Sequence, residues 1–151
     1  MPSISENTKQ RYESGFYDSF INICLNRSKE ITMKELMVGV ETIRRDLTKR
    51  QLKIIQMIGM FCFTYGKDSC VIPKLMDFQL AGISKTLVAA ELRKLEKMGV
   101  ITWIREADRN IFSINDIVFW KAPYHDNYSE NRAYELFVEN LEYLQELNKK
   151  K

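Results

Sequence analysis

One histidine, His125, stands in the whole sequence. A catalytic triad, a histidine-based metal site or a histidine acid–base pair would each have to use it. There is no Gly-rich phosphate loop: Gly59 and Gly66 flank nothing of the form G-x-x-x-x-G-K-S/T. The carboxylates are scattered, with no spacing suited to paired acid–base work. These gaps argue against an enzyme and against a bound cofactor. Cysteine is scarce as well. Cys24, Cys62 and Cys70 are an odd number with no close C-x-x-C pair, which argues against a disulfide framework or a zinc site and leaves free, buried thiols. No stretch approaches the ~18 consecutive apolar residues of a membrane span. The polar opening MPSISENTKQ lacks the apolar centre of a signal peptide. The chain is therefore expected in the cytoplasm and off the membrane.

What is present is an ordinary globular composition, 45% hydrophobic and 28% charged over 151 residues. That suits one domain with an added helix at either end. The net charge of +3 is uneven. Residues 41–121 hold 14 Lys and Arg against 9 Asp and Glu, and residues 126–151 hold 4 against 6. A basic middle and a mildly acidic tail suit a nucleic-acid-binding core with a protein-contacting tail, although a plainly solvated surface could carry the same charges.

Periodicity and caps give the elements. Tyr12, Phe16, Phe20 and Ile23/Cys24 recur at helical spacing in residues 11–25. Thr32-x-x-Glu35 has the form of a capping box and predicts a helix over 33–46. Thr48-x-x-Gln51 is a second box, opening an apolar helix over 49–64 that Gly66 ends. DSCVIP is a short strand, 69–72. PKLMDFQLA is a helix of two turns at most, over 74–81, with Pro73 in its first turn. Gly82 breaks the chain and Ser84 is placed to cap a helix over 85–98, with Val88, Leu92 and Leu95 on its core stripe and Gly99 at its end. VITWIRE and NIFSIN, separated by ADR, form a hairpin of strands 100–105 and 111–115. DIVFW is an apolar plug, and KAPYHDNY, 121–128, a linker. Residues 129–148 form an amphipathic helix capped by Ser129, with Ala133, Leu136, Phe137, Leu141, Leu144 and Leu147 on one stripe.

This order is that of a mainly α winged helix-turn-helix: three helices on a small β-sheet with a hairpin wing. The divisions are an N-terminal helical extension over 1–46, the winged helix over 47–120, the linker, and a C-terminal helix over 129–151.

LTKRQLKIIQMIGMFCFTYGKD and AGISKTLVAAELRKLEKMGVI carry a resemblance. The Leu-Thr-Lys/Arg helix start, Thr-Tyr-Gly at 64–66, Gly-Ile-Ser at 82–84 and Leu-x-x-Leu-x-x-x-Gly-Val-Ile from Leu92 to Ile101 resemble the N-terminal domain of the phage replication protein O family over about residues 47–115. The first and second features narrow the match, since the others occur in many winged helices. LMDFQLAG departs from it, with Asp77 and Phe78 where the family tends to have an apolar and a small residue. The resemblance implies a non-enzymatic protein of a phage, plasmid or similar element that recognises a replication origin on double-stranded DNA, with helicase-loading proteins as partners. Carried onto this chain, it implies that Lys85, Thr86, Ala89, Ala90, Arg93 and Lys94 face DNA and that Arg105 and Arg109 occupy the wing. Lys97 joins them as a phosphate contact on the helix, and Leu87, Ala89 and Ala90 form a small apolar reading surface. Lys49 and Arg50 are either phosphate contacts or, with Lys53, a solvated face. The arginines of the wing either grip the backbone or are cancelled by Glu106 and Asp108. Leu136, Phe137, Leu141, Leu144 and Leu147 are the expected contacts of a homodimer or protein partner. A transcriptional regulator, or a primosome-type interaction module on the same fold, would fit the same pattern.

Overall fold

A computed structural model describes residues 32–125 and 130–150. The helical spacing read in 11–25, the Ser129 cap and Cys24 lie outside the described residues. The elements are α1 (Met33–Arg44), α2 (Lys49–Phe63), β1 (Ser69–Ile72), a 3-10 helix (Leu75–Ala81), α3 (Lys85–Lys97), β2 (Ile101–Arg105), β3 (Asn110–Ile114), a one-turn 3-10 helix (Ile117–Phe119) and α4 (Glu130–Lys149).

The helix starts follow their local chemistry. Thr32 Oγ1 accepts from the Glu35 amide at 3.1 Å. At α2 the box closes both ways: the Gln51 amide donates to Thr48 Oγ1 at 3.2 Å, and Gln51 Oε1 accepts from the Thr48 amide at 3.0 Å. Two starts differ from expectation. Pro73 lies outside the first turn of the short helix; Lys74 is its N-cap, and the amide of Lys74 donates to Asp77 Oδ2 at 3.0 Å. That bond accounts for an aspartate at position 77. The element is 3-10 throughout its seven residues, and it delivers Phe78 into the core with no exposure. Ser84 is the N-cap of α3 by its backbone, yet its side chain makes no capping bond and pairs with the Thr86 hydroxyl at 3.1 Å.

The sheet is antiparallel in the order β1-β3-β2. Phe112 of β3 stands opposite Cys70 on one side and Trp103 on the other. Alternation holds in β2, where Ile101 and Trp103 point inward while Thr102 and Ile104 point to solvent. Phe112 meets Phe78 edge-on at 5.5 Å and stacks on Trp103 at 5.8 Å. The Trp103 indole N–H is satisfied by Asn110 Oδ1 at 2.9 Å, so this ring is core rather than a base-stacking platform. Ile54, Ile55, Ile58 and Cys62 of α2 and Val88, Leu92 and Leu95 of α3 complete the core. Gly99 turns the chain from α3 into β2 at φ 73°, and a Cβ there would run into the Phe119 carbonyl. Cys62 and Cys70 are free, buried thiols, as expected. Hydrogen bonding between the two lowers the pKa of Cys62 and raises that of Cys70. The architecture, mostly helical with a small three-stranded antiparallel sheet, is compatible with a winged helix.

Two stretches depart from the sequence reading. Of the DIVFW plug only Trp120 is buried; Val118 and Phe119 are exposed, because a single 3-10 turn cannot bring all three apolar side chains inward. The stretch 121–125, read as the start of a linker, is fixed to α1. The Asp46 amide donates to the Pro123 carbonyl at 2.7 Å and the His125 amide to the Arg44 carbonyl at 3.0 Å. Arg45 anchors this junction from inside. Its NH1 donates to the carbonyls of Trp120 and Ala122 at 3.0 and 2.9 Å, and its NH2 to Glu41 Oε1 and the Tyr124 hydroxyl at 3.0 and 2.9 Å.

Glu41 and Arg45 are both buried, so removing Arg45 leaves a buried carboxylate with only the Tyr124 hydroxyl and the Arg44 guanidinium beside it. Arg45→Ala is expected to lower the unfolding free energy by about 3–5 kcal/mol in urea titrations. A second expectation concerns pH. The Tyr124 hydroxyl donates to Glu41 at 2.7 Å, and that bond, with desolvation, raises its pKa above the ordinary tyrosine value. The folded state therefore holds this proton more tightly than the unfolded state. The resulting stability is complete below about pH 10 and is lost as pH rises through the folded-state value. Thermal melts of wild type should show that alkaline loss, and melts of Tyr124→Phe should show less of it.

Candidate nucleic-acid interface

The face of α3 turned away from its core is built by helical spacing. Val88, Leu92 and Leu95 have no exposure. At about 100° per residue, the opposite side carries Thr86, Ala90, Arg93 and Lys97, at intervals of four, three and four. All four are exposed. Arg93 and Lys97 make no ion pair among the described residues, and neither does Lys85 in the first turn. Lys94 lies to one side, 3.8 Å from Glu91 Oε1. Glu91 is itself buried, and its Oε2 has no hydrogen-bond partner among the described residues. Sequence reasoning did not single out this carboxylate, since a Glu within a helix gives no local sign that it will be buried.

The expected apolar reading surface is divided. Leu87 and Ala90, three apart, share one side; Ala89 falls on the other and is half-buried. The exposed apolar part is therefore Leu87 with Ala90, beside the Arg93–Lys97 stripe.

Lys49 and Arg50 are exposed in the first turn of α2, with Lys53 a turn further on, and none is ion-paired among the described residues. Neither α2 nor α3 has an acidic residue in its first turn. Cations there oppose the positive end of the helix dipole, an arrangement that an anion such as phosphate relieves.

The β2–β3 hairpin is different. Arg105 lies 3.6 Å above the Trp103 ring and donates to both oxygens of Glu96, at 3.2 and 3.4 Å. Arg109 donates to Glu106 at 2.7 Å, which raises its pKa further above the ordinary range. Both arginines are thus engaged within the chain. Glu106 was visible as a partner from sequence. Glu96 was not, because it reaches Arg105 from the end of α3 across the start of the sheet.

His125 lines a groove between α1 and α4. No cluster of His, Cys, Asp and Glu able to hold a metal occurs among the described residues. No helix among them is long and apolar enough to cross a membrane.

The described residues thus present a cationic face of α3 beside the β2–β3 hairpin. The family model for bacteriophage replication protein O matches residues 31–120, and the chain belongs to that family. The matched region begins before α1 and runs through Trp120, so it takes in α1 with Arg45 and the segment that the sequence motifs cover. No curated protein and no solved structure matches the chain.

A phosphate can engage Arg105 only in exchange for Glu96. Glu96→Gln is therefore expected to tighten binding to mixed-sequence duplex DNA by about two- to fivefold at low salt, the size of an exposed ion pair. Fluorescence anisotropy measures it. An affinity no different from wild type would mean that Arg105 takes no part.

Proposed function

We propose that this protein binds double-stranded DNA through the outer face of α3 and acts, without catalysis, in origin recognition during phage-type replication. The observation that carries this reading is Arg93 and Lys97, unpaired among the described residues and exposed on one stripe with Thr86 and Ala90. Lys85, Lys49 and Arg50 add cations at two helix starts. Membership of the replication protein O family supports the replication role and, as a partner, a helicase-loading protein.

The surface suits α3 lying in a major groove with the hairpin along the backbone. Arg93 and Lys97 would meet phosphates, and Lys94 would join them by leaving Glu91. Thr86, Leu87 and Ala90 would meet base edges and thymine methyls. Arg93 is the one residue in the stripe able to make a bidentate base contact, each of which is worth about 1–3 kcal/mol of discrimination. Sequence preference is therefore modest, and affinity rests mainly on phosphates.

Anisotropy titrations at several salt concentrations test this. Wild type should lose affinity steeply with salt. Arg93→Glu/Lys97→Glu should bind more than tenfold more weakly at low salt, with a log–log salt slope shallower by about 2. A folded wild type that fails to bind duplex at low salt would overturn the DNA reading and favour a protein-interaction module.

A further inference from the structure

α1 is apolar on two sides. Val38 is its buried apolar residue on the core side. Met33, Leu36, Met37, Val40 and Ile43 follow helical spacing along a separate side. Among the described residues this second stripe is open: Met33 is 69% and Ile43 78% exposed, and Leu36 and Met37 are exposed with them. At the end of the helix Val40 and Ile43 line a groove of about 680 Å³, with Leu136 and Phe137 of α4 across from them. A helix that is apolar on two sides is one that two neighbours cover.

We propose that residues 11–25 of the same chain, which lie outside the described residues, dock antiparallel on this stripe and fill the groove. Their sequence has the matching pattern, since Tyr12, Phe16, Phe20 and Ile23 share one side at helical spacing. They are also tethered at the right place. Six residues, 26–31, separate them from the Thr32 cap of α1, an ordinary length for a connection between antiparallel helices. A fifteen-residue helix is about 22 Å long, whereas the stripe from Met33 to Ile43 spans about 15 Å. The far end of the segment therefore reaches past α1 into the groove. In this order Ile23 lies at the Met33 end, Phe20 and Phe16 along Met37 and Val40, and Tyr12 toward Ile43 and Phe137. Glu13 then arrives at the end of α1, where Arg44 lines the groove, so the charges match as well. The opposite direction would stretch the connection back along the whole of α1, close to the ~20 Å that six extended residues can reach.

The contact involves no residue of α3, so it can be tested without DNA. The full chain carries Ile43→Cys in a Cys24→Ser background, where the other two thiols, Cys62 and Cys70, are buried. A maleimide reports how open position 43 is. Its reaction should be at least about tenfold slower than in the same chain with Phe16→Asp/Phe20→Asp, because burial of those two rings holds the segment down. Phe20→Ala alone should give an intermediate rate. An unchanged circular dichroism spectrum and unreactive Cys62 and Cys70 show that the core is intact in each chain. Adding an excess of the Cys24→Ser chain to the doubly substituted one should leave its rate unchanged. Equal rates with and without the aspartates overturn the proposal, as does protection that survives them. Protection supplied in trans also overturns it and makes the occupant a second copy.

Discussion

The buried Arg45 guanidinium connects parts of the chain that are far apart in sequence. It is supplied by the end of α1 and holds the carbonyls of Trp120 and Ala122, the Tyr124 hydroxyl and the Glu41 carboxylate. Its plane also lies 4.4 Å from the Tyr124 ring, with Arg44 on the same ring at 4.6 Å. A guanidinium in the interior needs acceptors for its donors: NH1 and NH2 of Arg45 make four bonds, while its buried Nε has no hydrogen-bond partner among the described residues. These bonds act together with the Asp46–Pro123 and His125–Arg44 backbone bonds in holding the chain after Trp120 against α1. The groove between α1 and α4 is built on this junction, since Tyr124 and His125 line it beside Val40, Ile43 and Arg44.

The cationic surface has an internal division. On α3 the core stripe is apolar enough that Arg93 and Lys97 are held outward, with no carboxylate paired to them among the described residues. On the hairpin each arginine has a carboxylate within salt-bridge distance. Charges that are free gain fully from a phosphate, whereas charges already paired gain only the difference between two partners. A basic residue count over 41–121 treats the two sets alike; the structure separates them. The affinity proposed here accordingly resides in α3 and the helix starts, with the hairpin as a secondary contact.

How much of this was legible in the sequence depended on range. The Thr48–Gln51 capping box, the Thr32 side-chain cap, the Gly99 turn, the alternation in β2 and the Val88–Leu92–Leu95 stripe are decided by neighbours within a few positions, and they could be read directly. Which side of α3 faces outward followed from the same periodicity. The contacts that join distant segments could not be read. Arg45 reaches residues 75 to 79 positions away, and nothing near it marks one arginine of the Arg44–Arg45 pair as buried. The Glu96–Arg105 bond needed the angle at which α3 meets the sheet. The 3-10 character of Leu75–Ala81 was hidden too, because its length and Pro73 suit either helix type. For α4 the amphipathic pattern predicted the helix and its apolar stripe, but only the structure shows that its first turns border an open groove beside α1 and that its apolar side chains stay exposed.

The most direct test of the central claim is an amide chemical-shift map of the full chain titrated with mixed-sequence duplex DNA. The largest changes should fall on Thr86, Ala90, Arg93 and Lys97, with smaller ones at Lys49 and Arg50. Changes confined to α1, α4 or the β2–β3 hairpin, with the α3 amides unmoved at saturation, would contradict it.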